Sequence, residues 1–450
     1  HYPLRRQRQM CIRDRIMAPR KTLHIGMSLA PTWLSGDGWR HTNSDIEGAF
    51  GSDFYLDIAR RAEAAKLDFV FRPDSLFLNS QIMETTPGFA SLDATLLMAT
   101  LARETSKIGL LTTISTTFMP PYAVARQVLS LHHLSNGRAG WNIVTALDGN
   151  VNFGLDEMPT SDERYAKAAE FTEVVRALWE SFPGSALKRD RASGNYADTA
   201  RIQPINHKGD FFKVKGPLNI PSLENVPIPL VQAGASPAGR SFAASVADAI
   251  FSATPDIDVA INLRKDLRSL AQSHGRNADD VRLLPGLSLY LAPTRKEAEE
   301  LFSYTHARGD RTRKIAYIRD MTGLDLTDWP EDRLICPSDL PPPPEKVRSK
   351  THAGLLQRLL QKETLRLDDL LRRPEVISAA HWQIIGTVDD AVAEIRQWSE
   401  AGAIDGFITA PGGSTSSMHL ALDDLMPRLS EAGLLRADYT GNTFAHHLSE

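Results

Sequence analysis

The stretch LSNGRAGWNIVTALDGNVNFGLDEMPTSDERYAKAAEFTEVVRALW, residues 134–179, decides how the rest of the chain is read. Ser135, Asn136 and Gly137 form a polar turn, and residues 138–145 that follow have the apolar, β-branched centre of a buried strand. From Asp162 and Glu163 onward, Tyr165, Ala168, Phe171, Thr172, Val175 and Leu178 form a helical stripe whose acidic residues sit at its start. A strand therefore passes into a helix across residues 146–161. That junction is long and carries Asp148, Asn150, Asn152, Asp156 and Ser161, polar groups that a plain connection does not require, so it is expected to form one wall of a site.

Outward from this unit the same alternation repeats. Strands are predicted over residues 22–29, 67–71, 108–114, 139–144, 229–233, 249–252, 281–291 and 404–409. Helices are predicted over 52–65 with Ser52 as cap, 92–103, 123–134, 162–179, 237–246, 256–273, 295–308, 388–400 and 418–432. Two stretches interrupt the pattern. Residues 182–229 are rich in Pro, Gly, Asn and charge, with a hairpin-like GDFFKVKG inside, and residues 309–382 contain the run Pro341, Pro342, Pro343, Pro344. Both read as insertions, the second as a cover for the site face. Eight strands alternating with helices predict an α/β fold, a (β/α)8 TIM barrel with insertions, with an open doubly wound sheet as the other arrangement. Residues 1–16 are basic and without periodicity; they read as a non-native leader ahead of Met17, leaving 17–450 as one domain.

Composition narrows the function. A net charge of -4 offers no basic surplus for a phosphate backbone, so no nucleic-acid partner is expected. No apolar run of membrane length and no apolar stretch of signal-peptide type is present, which predicts a cytoplasmic chain with no membrane partner. Two cysteines, Cys11 and Cys336, are too few for a disulfide framework or a thiolate cluster. Adjacent His132 and His133 point to different sides of a helix and read as packing, so no metal is expected. The loop after the first strand carries Trp33, Trp39, Arg40 and His41, an expected wall.

In a barrel the chemistry belongs to the loops after the strand C-termini. Gly234, Ala235, Ser236 and Pro237 join the fifth strand to its helix, where small residues permit close approach and helix-start amides attract an anion. Ser236 can hold a phosphate there or only cap the helix. Asn142, within the fourth strand, is a candidate catalytic amide or one satisfied inside the barrel.

The segments GRAGWNIVT (137–145), NFGLDE (152–157), DERY (162–165), PPYAVARQ (120–127), QAGASPAGR (232–240), IDGF (404–407) and YTGNT (439–443) occur in an order that resembles the nitrilotriacetate, dibenzothiophene-sulfone and pristinamycin monooxygenase group of the bacterial luciferase-like flavin enzymes. The resemblance runs over nearly the whole chain. It implies a two-component monooxygenase that takes reduced FMN from a separate NAD(P)H:flavin reductase and uses O2 to oxygenate a small organic substrate. It assigns the phosphate to Ser236 and further flavin contacts to Asp74, Thr113 and Tyr165. Ser161 stands where the group has a histidine four residues before the helix tyrosine, and Pro31, Thr32 and Trp33 stand where it often has histidines. A hydroxyl replaces one hydrogen bond but accepts no charge. The glycines of AGASPAGR do not have dinucleotide spacing, in keeping with electrons from a partner. A homo-oligomer is expected. The alternatives are a deazaflavin (F420)-dependent hydride-transfer enzyme and a flavin-binding protein without turnover.

Overall fold

The computed structural model describes residues 22–450 except 31–33, 35, 235, 310, 331 and 378. The expectations for residues 1–16, Met17, Pro31, Thr32, Trp33 and Ala235 lie outside the described residues. Eight strands form the ring: β1 His24–Ser28, β2 Phe69–Arg72, β3 Gly109–Ser115, β4 Ala139–Val144, β5 Leu230–Ala233, β6 Ala249–Ser252, β7 Arg282–Leu291 and β8 Gly406–Pro411. Each pairs in parallel with the next, and β8 returns to β1 through His24 opposite Gly406. The barrel is therefore closed, which leaves no free edge in the ring.

Helices α1 Ser52–Ala64, α2 Ala94–Glu104, α3 Pro121–Leu134, α4 Ser161–Glu180, α5 Pro237–Val246, α6 Ile257–Ser273 and α7 Arg295–His306 follow these strands, and further helices at Val388–Glu400 and Met426–Glu431 pack into the main core. Strands covered on both faces need no polar alternation, and β1, β2 and β3 are buried along their whole length. Inward-facing Phe69, Phe71, Leu111, Val231, Ala249, Leu284 and Ile408 fill the barrel. The terminal helix Phe444–Ser449 plugs its N-terminal end: the Phe444 ring lies 5.1 Å from that of Phe69 and occupies the space left by Gly109 and Gly140.

Several local expectations change. Gly51, not Ser52, is the N-cap of α1, and no side chain caps that end. Helix α4 begins at Ser161 because Thr160 and Glu163 form a capping box, each side chain bonded to the other's backbone. Residues 182–229 form two hairpins, Leu187–Asp190 with Asn195–Ala197 and His207–Lys208 with Lys213–Val214. They pack outside α3 and α4: Phe212 meets Phe171 edge-on at 5.5 Å, and His207 pairs with Glu170 at 2.9 Å. His132 and His133 bond the carbonyls of Val226 and Pro221 in this segment, a packing role.

The stretch 309–382 ends in a strand that the sequence reading does not contain. Trp382–Gly386 pairs with Leu287–Leu291 of β7. The ten-residue β7 outruns its neighbour β6, whose pairing stops at Pro285, and the exposed edge beyond is where this strand docks. Ahead of it come α8 Arg311–Thr322 and α9 Lys350–Lys362, with a small core of Ile318, Leu326, Ile335, Leu356 and Leu360. This segment stands at the C-terminal face. Arg358 bonds Asp256 in the loop after β6, Arg348 lies 3.8 Å from Asp148 after β4, and its guanidinium is 6.0 Å from the Phe77 ring after β2. Among the described residues, no helix is long and apolar enough to cross a membrane.

Candidate active site

At the C-terminal ends of β3 and β4, Thr113 and Asn142 lie opposite one another in register. The Asn142 amide donates to Thr113 Oγ1 at 2.9 Å, and the Thr113 hydroxyl donates to the Arg72 carbonyl at 2.7 Å. Alternation along both strands turns these side chains inward, on the same faces as Leu111 and Gly140. Asn142 is 1% exposed, yet its Oδ1 has no partner. A buried amide oxygen without a donor is costly unless something else supplies one, so the strand pair presents an acceptor toward the mouth.

The second cluster is at the start of α5. Ser236 is its N-cap, with Oγ accepting from the Gly239 amide at 3.2 Å, which leaves the hydroxyl proton free to donate. Capping and anion binding are therefore compatible at this residue. Tyr165, one turn into α4, brings its hydroxyl to the same corner, where it accepts from Gln232 Nε2 at 3.3 Å. Glycine is required here twice. A Cβ on Gly239 would stand 2.6 Å from the Tyr165 oxygen, and Gly234 holds φ at +123°. Gln232 was not singled out from the sequence; it is a polar residue within the apolar strand LVQA, 1% exposed, with Oε1 unpartnered. That contrast is the signal that marks it.

Asp74 stands just beyond β2, its carboxylate accepting from the Ser75 amide at 2.9 Å. Burial pushes its carboxyl above the usual range and Asp93 adds to this, against the Ser75 amide and the Arg72 charge. Ser161 opens α4, half-buried, one turn before Tyr165. Among the described residues neither Asp74 nor Ser161 bonds to the other four positions. The 146–161 junction is partly structural: Asn150 donates to the Leu155 carbonyl at 2.7 Å and Asn152 to the Leu76 carbonyl at 2.9 Å, so these amides tie loops together. Trp39 likewise donates to the Thr85 carbonyl. Among the described residues no group of three His, Cys, Asp or Glu side chains is arranged to hold a metal. A cleft of about 530 Å³ is lined by Asp256, Trp382, Asp390 and Glu394 and by none of the site residues above.

The donor set fits a flavin phosphate: a free hydroxyl at a helix start, a tyrosine beside it and close-approach glycines; the unpartnered amide oxygens on the adjoining strands are acceptors, suited to a ligand N–H and not to a phosphate. The chain is similar over most of its length to several known proteins. Nitrilotriacetate monooxygenase component A of Aminobacter aminovorans is 32% identical, over 96% of this chain and 97% of its own. Dibenzothiophene-sulfone monooxygenase of Rhodococcus erythropolis is also 32% identical, over 91% of this chain and 92% of its own. A riboflavin lyase solved with modified FMN and riboflavin superposes with a TM-score of 0.81 at 29% identity, covering 95% of this chain and 96% of that one. An F420-dependent secondary alcohol dehydrogenase matches at a TM-score of only 0.57 and 17% identity, a likeness of fold alone, so the monooxygenase reading fits better than the deazaflavin one. The luciferase-like monooxygenase family model matches residues 35–404, and the chain belongs to that family.

Proposed function

We propose that the barrel mouth binds reduced FMN delivered by a separate NAD(P)H:flavin reductase and oxygenates a small organic substrate. The observation that carries this is the shared corner of Ser236, Tyr165, Gln232 and Gly239 beside the Thr113–Asn142 pair, in a chain similar over its length to flavin monooxygenases. Reduced FMN, when bound, supplies the two electrons that divide O2 between the substrate and water.

The chain's own residues bind, orient and shield. The Ser236 hydroxyl and the Ala238 amide hold the phosphate by hydrogen bonds assisted by its charge, since Pro237 has no N–H and the Gly239 amide is given to Ser236 Oγ. Tyr165 adds a hydroxyl donor at the same corner, while Ser161, one turn earlier, faces the rim. Thr113, Asn142 and Asp74 line the ends of β2 to β4, where their hydrogen bonds fix the plane of the ring system. Asn142 Nδ2 is committed to Thr113, so its bare Oδ1 is the acceptor that remains for a ligand N–H. Residues 309–382 stand over this face and keep bulk water from it.

The test uses purified, reductase-free protein with NADH, FMN and a panel of amines, sulfones, sulfonates and aminopolycarboxylates. Oxygen uptake and product are expected only after any flavin reductase is added, without physical contact between the two proteins. Turnover with NADH alone would sink the two-component reading. Reduction by a deazaflavin, with no oxygen uptake, would replace it with hydride transfer, and flavin binding without turnover on any substrate would leave a binding protein.

A further inference from the structure

One imidazole at the barrel mouth, His381, has no hydrogen-bond partner among the described residues. His381 follows Ala379 and Ala380, which hold φ at +52° and +54°, a left-handed conformation that residues with a β-carbon disfavour. The surroundings impose it. The Ala380 amide donates to the Pro374 carbonyl at 2.9 Å, His352 Nε2 lies 3.1 Å from the Ala379 carbonyl, and Trp382 is already paired with Leu287. The consequence is an inward-turned ring. It lies directly on Gly286 of β7, where a β-carbon would stand 2.8 Å from the ring atoms.

On its other side His381 meets Phe251 of β6 edge-on at 5.3 Å, and Phe251 meets Phe71 of β2 at 5.6 Å. The imidazole therefore stands above an aromatic floor, across the barrel from Thr113 and Asn142. Neither ring nitrogen bonds to a described residue. Burial, with a smaller contribution from His352, pushes the imidazole down to about 4, so near neutrality it carries one N–H donor and one bare acceptor. The other inward-facing polar groups of this layer, Thr113, Asn142 and Ser288, are uncharged. A ligand bearing several carboxylates would find no charge on these side chains to replace its lost hydration, and the Arg348 guanidinium over this face is already 3.8 Å from Asp148.

We propose that His381 is the substrate-contacting hydrogen-bond group of the mouth, donating to one uncharged acceptor, a sulfone, sulfoxide, amide or ketone oxygen, on a substrate whose apolar body rests on Phe71 and Phe251. This rests on the reading of the mouth as the oxygenation site, and it selects neutral, partly aromatic substrates over polycarboxylates.

The test is binding to protein loaded with oxidised FMN, measured by equilibrium dialysis with methyl phenyl sulfone, its near-isostere isopropylbenzene, and nitrilotriacetate. Wild type is expected to bind the sulfone at least tenfold more tightly than nitrilotriacetate. His381→Phe, which keeps the ring contacts, is expected to weaken the sulfone about tenfold and leave isopropylbenzene and FMN unchanged, the scale of one lost hydrogen bond. His381→Gln, which keeps an N–H donor, is expected to retain most of the sulfone affinity and controls for misfolding. Equal loss of both probes in His381→Phe, no loss of either, a fall in FMN affinity, or no binding of the sulfone to wild type would each overturn the assignment. Because no turnover is needed, absence of oxygenation with reduced FMN would sink the monooxygenase reading and leave this one standing.

Discussion

The two ends of the barrel are built from the same strands and are chemically opposite. At the N-terminal end, charges are buried but meet one another: Asp68, fully buried, accepts from the Ile25 amide at 2.7 Å, from Arg436 at 2.5 Å and, at 3.1 Å, faces His24 Nδ1. Arg138 places its guanidinium on the carbonyls of Ser135, Ile108, Ala102 and Thr105 and on the Thr105 hydroxyl. Phe444 then fills the space left by two glycines. At the mouth, by contrast, Asn142 Oδ1 and Gln232 Oε1 are left without donors, and the His381 nitrogens bond to no described residue; at the closed end the atoms left over, Arg436 Nε and His447 Nδ1, belong to side chains whose other polar atoms are already held. Paired groups and filled volume serve stability; unpaired groups around an open end are available to a ligand.

If that contrast holds, changes at the two ends separate stability from binding. The largest expected effect is at the plug. Phe444→Ala removes a fully buried ring and leaves a void against Gly109 and Gly140, costing about 3–5 kcal/mol of stability by denaturant titration. FMN affinity of the protein that remains folded should be unchanged; a matching loss of FMN affinity would show that the two ends are coupled.

Ser236→Ala comes next. It should weaken reduced-FMN binding by about 1–2 kcal/mol, the scale of one hydrogen bond to an ionised group. Riboflavin, which lacks the phosphate, should respond less. Since Ser236 also caps α5, some stability will be lost as well, and an equal loss of affinity for both flavins would mean that capping is its whole role.

The smallest effect is a pH dependence at the closed end. Burial works to raise the Asp68 carboxyl, but the hydrogen bond and charge of His24, the Arg436 charge and the Ile25 amide outweigh it and hold the group below the usual carboxylate range. A carboxylate depressed in the folded state contributes stability above its unfolded pKa, near 4, and loses that contribution as pH falls through the folded value. The stability gap between wild type and Asp68→Asn should therefore be full near neutrality and close as the pH falls below about 4. A gap that is independent of pH would mean that Asp68 acts through shape and not through its charge.

Much of this architecture is legible in the chain because its causes are local. The alternation of buried strands and amphipathic helices repeats eight times, and β4, β6 and α5 begin and end where the pattern of apolar residues and the Ser236–Pro237 start place them. Asn142 and Ser236 are conspicuous as polar residues at a strand end and a helix start. The capping box at Thr160 is also local, carried by the spacing T-S-D-E, although the helix predicted over 162–179 does not include it.

Other features depend on what lies across space. That the eight strands close into a ring, not an open sheet, is decided by β8 pairing with β1, since both arrangements share the same periodicity. The strand Trp382–Gly386 is as long as several of the ring strands but lies at the end of a polar insertion and outside the strand–helix alternation; it exists because β7 extends past β6 and offers unpaired backbone groups to it. Whether a buried polar group is satisfied is likewise a tertiary matter. The amides of Asn150 and Asn152 are spent on neighbouring loops, whereas Asn142 Oδ1 and Gln232 Oε1 find no donor and the His381 nitrogens bond to no described residue. The sequence by itself determined the repeating unit and the candidate donors, because propensity, capping and hydrophobic period act within a few residues. Only the tertiary structure decided which end of the barrel was sealed and which polar atoms were left over, because a hydrogen bond is satisfied or orphaned by neighbours that are distant in the chain.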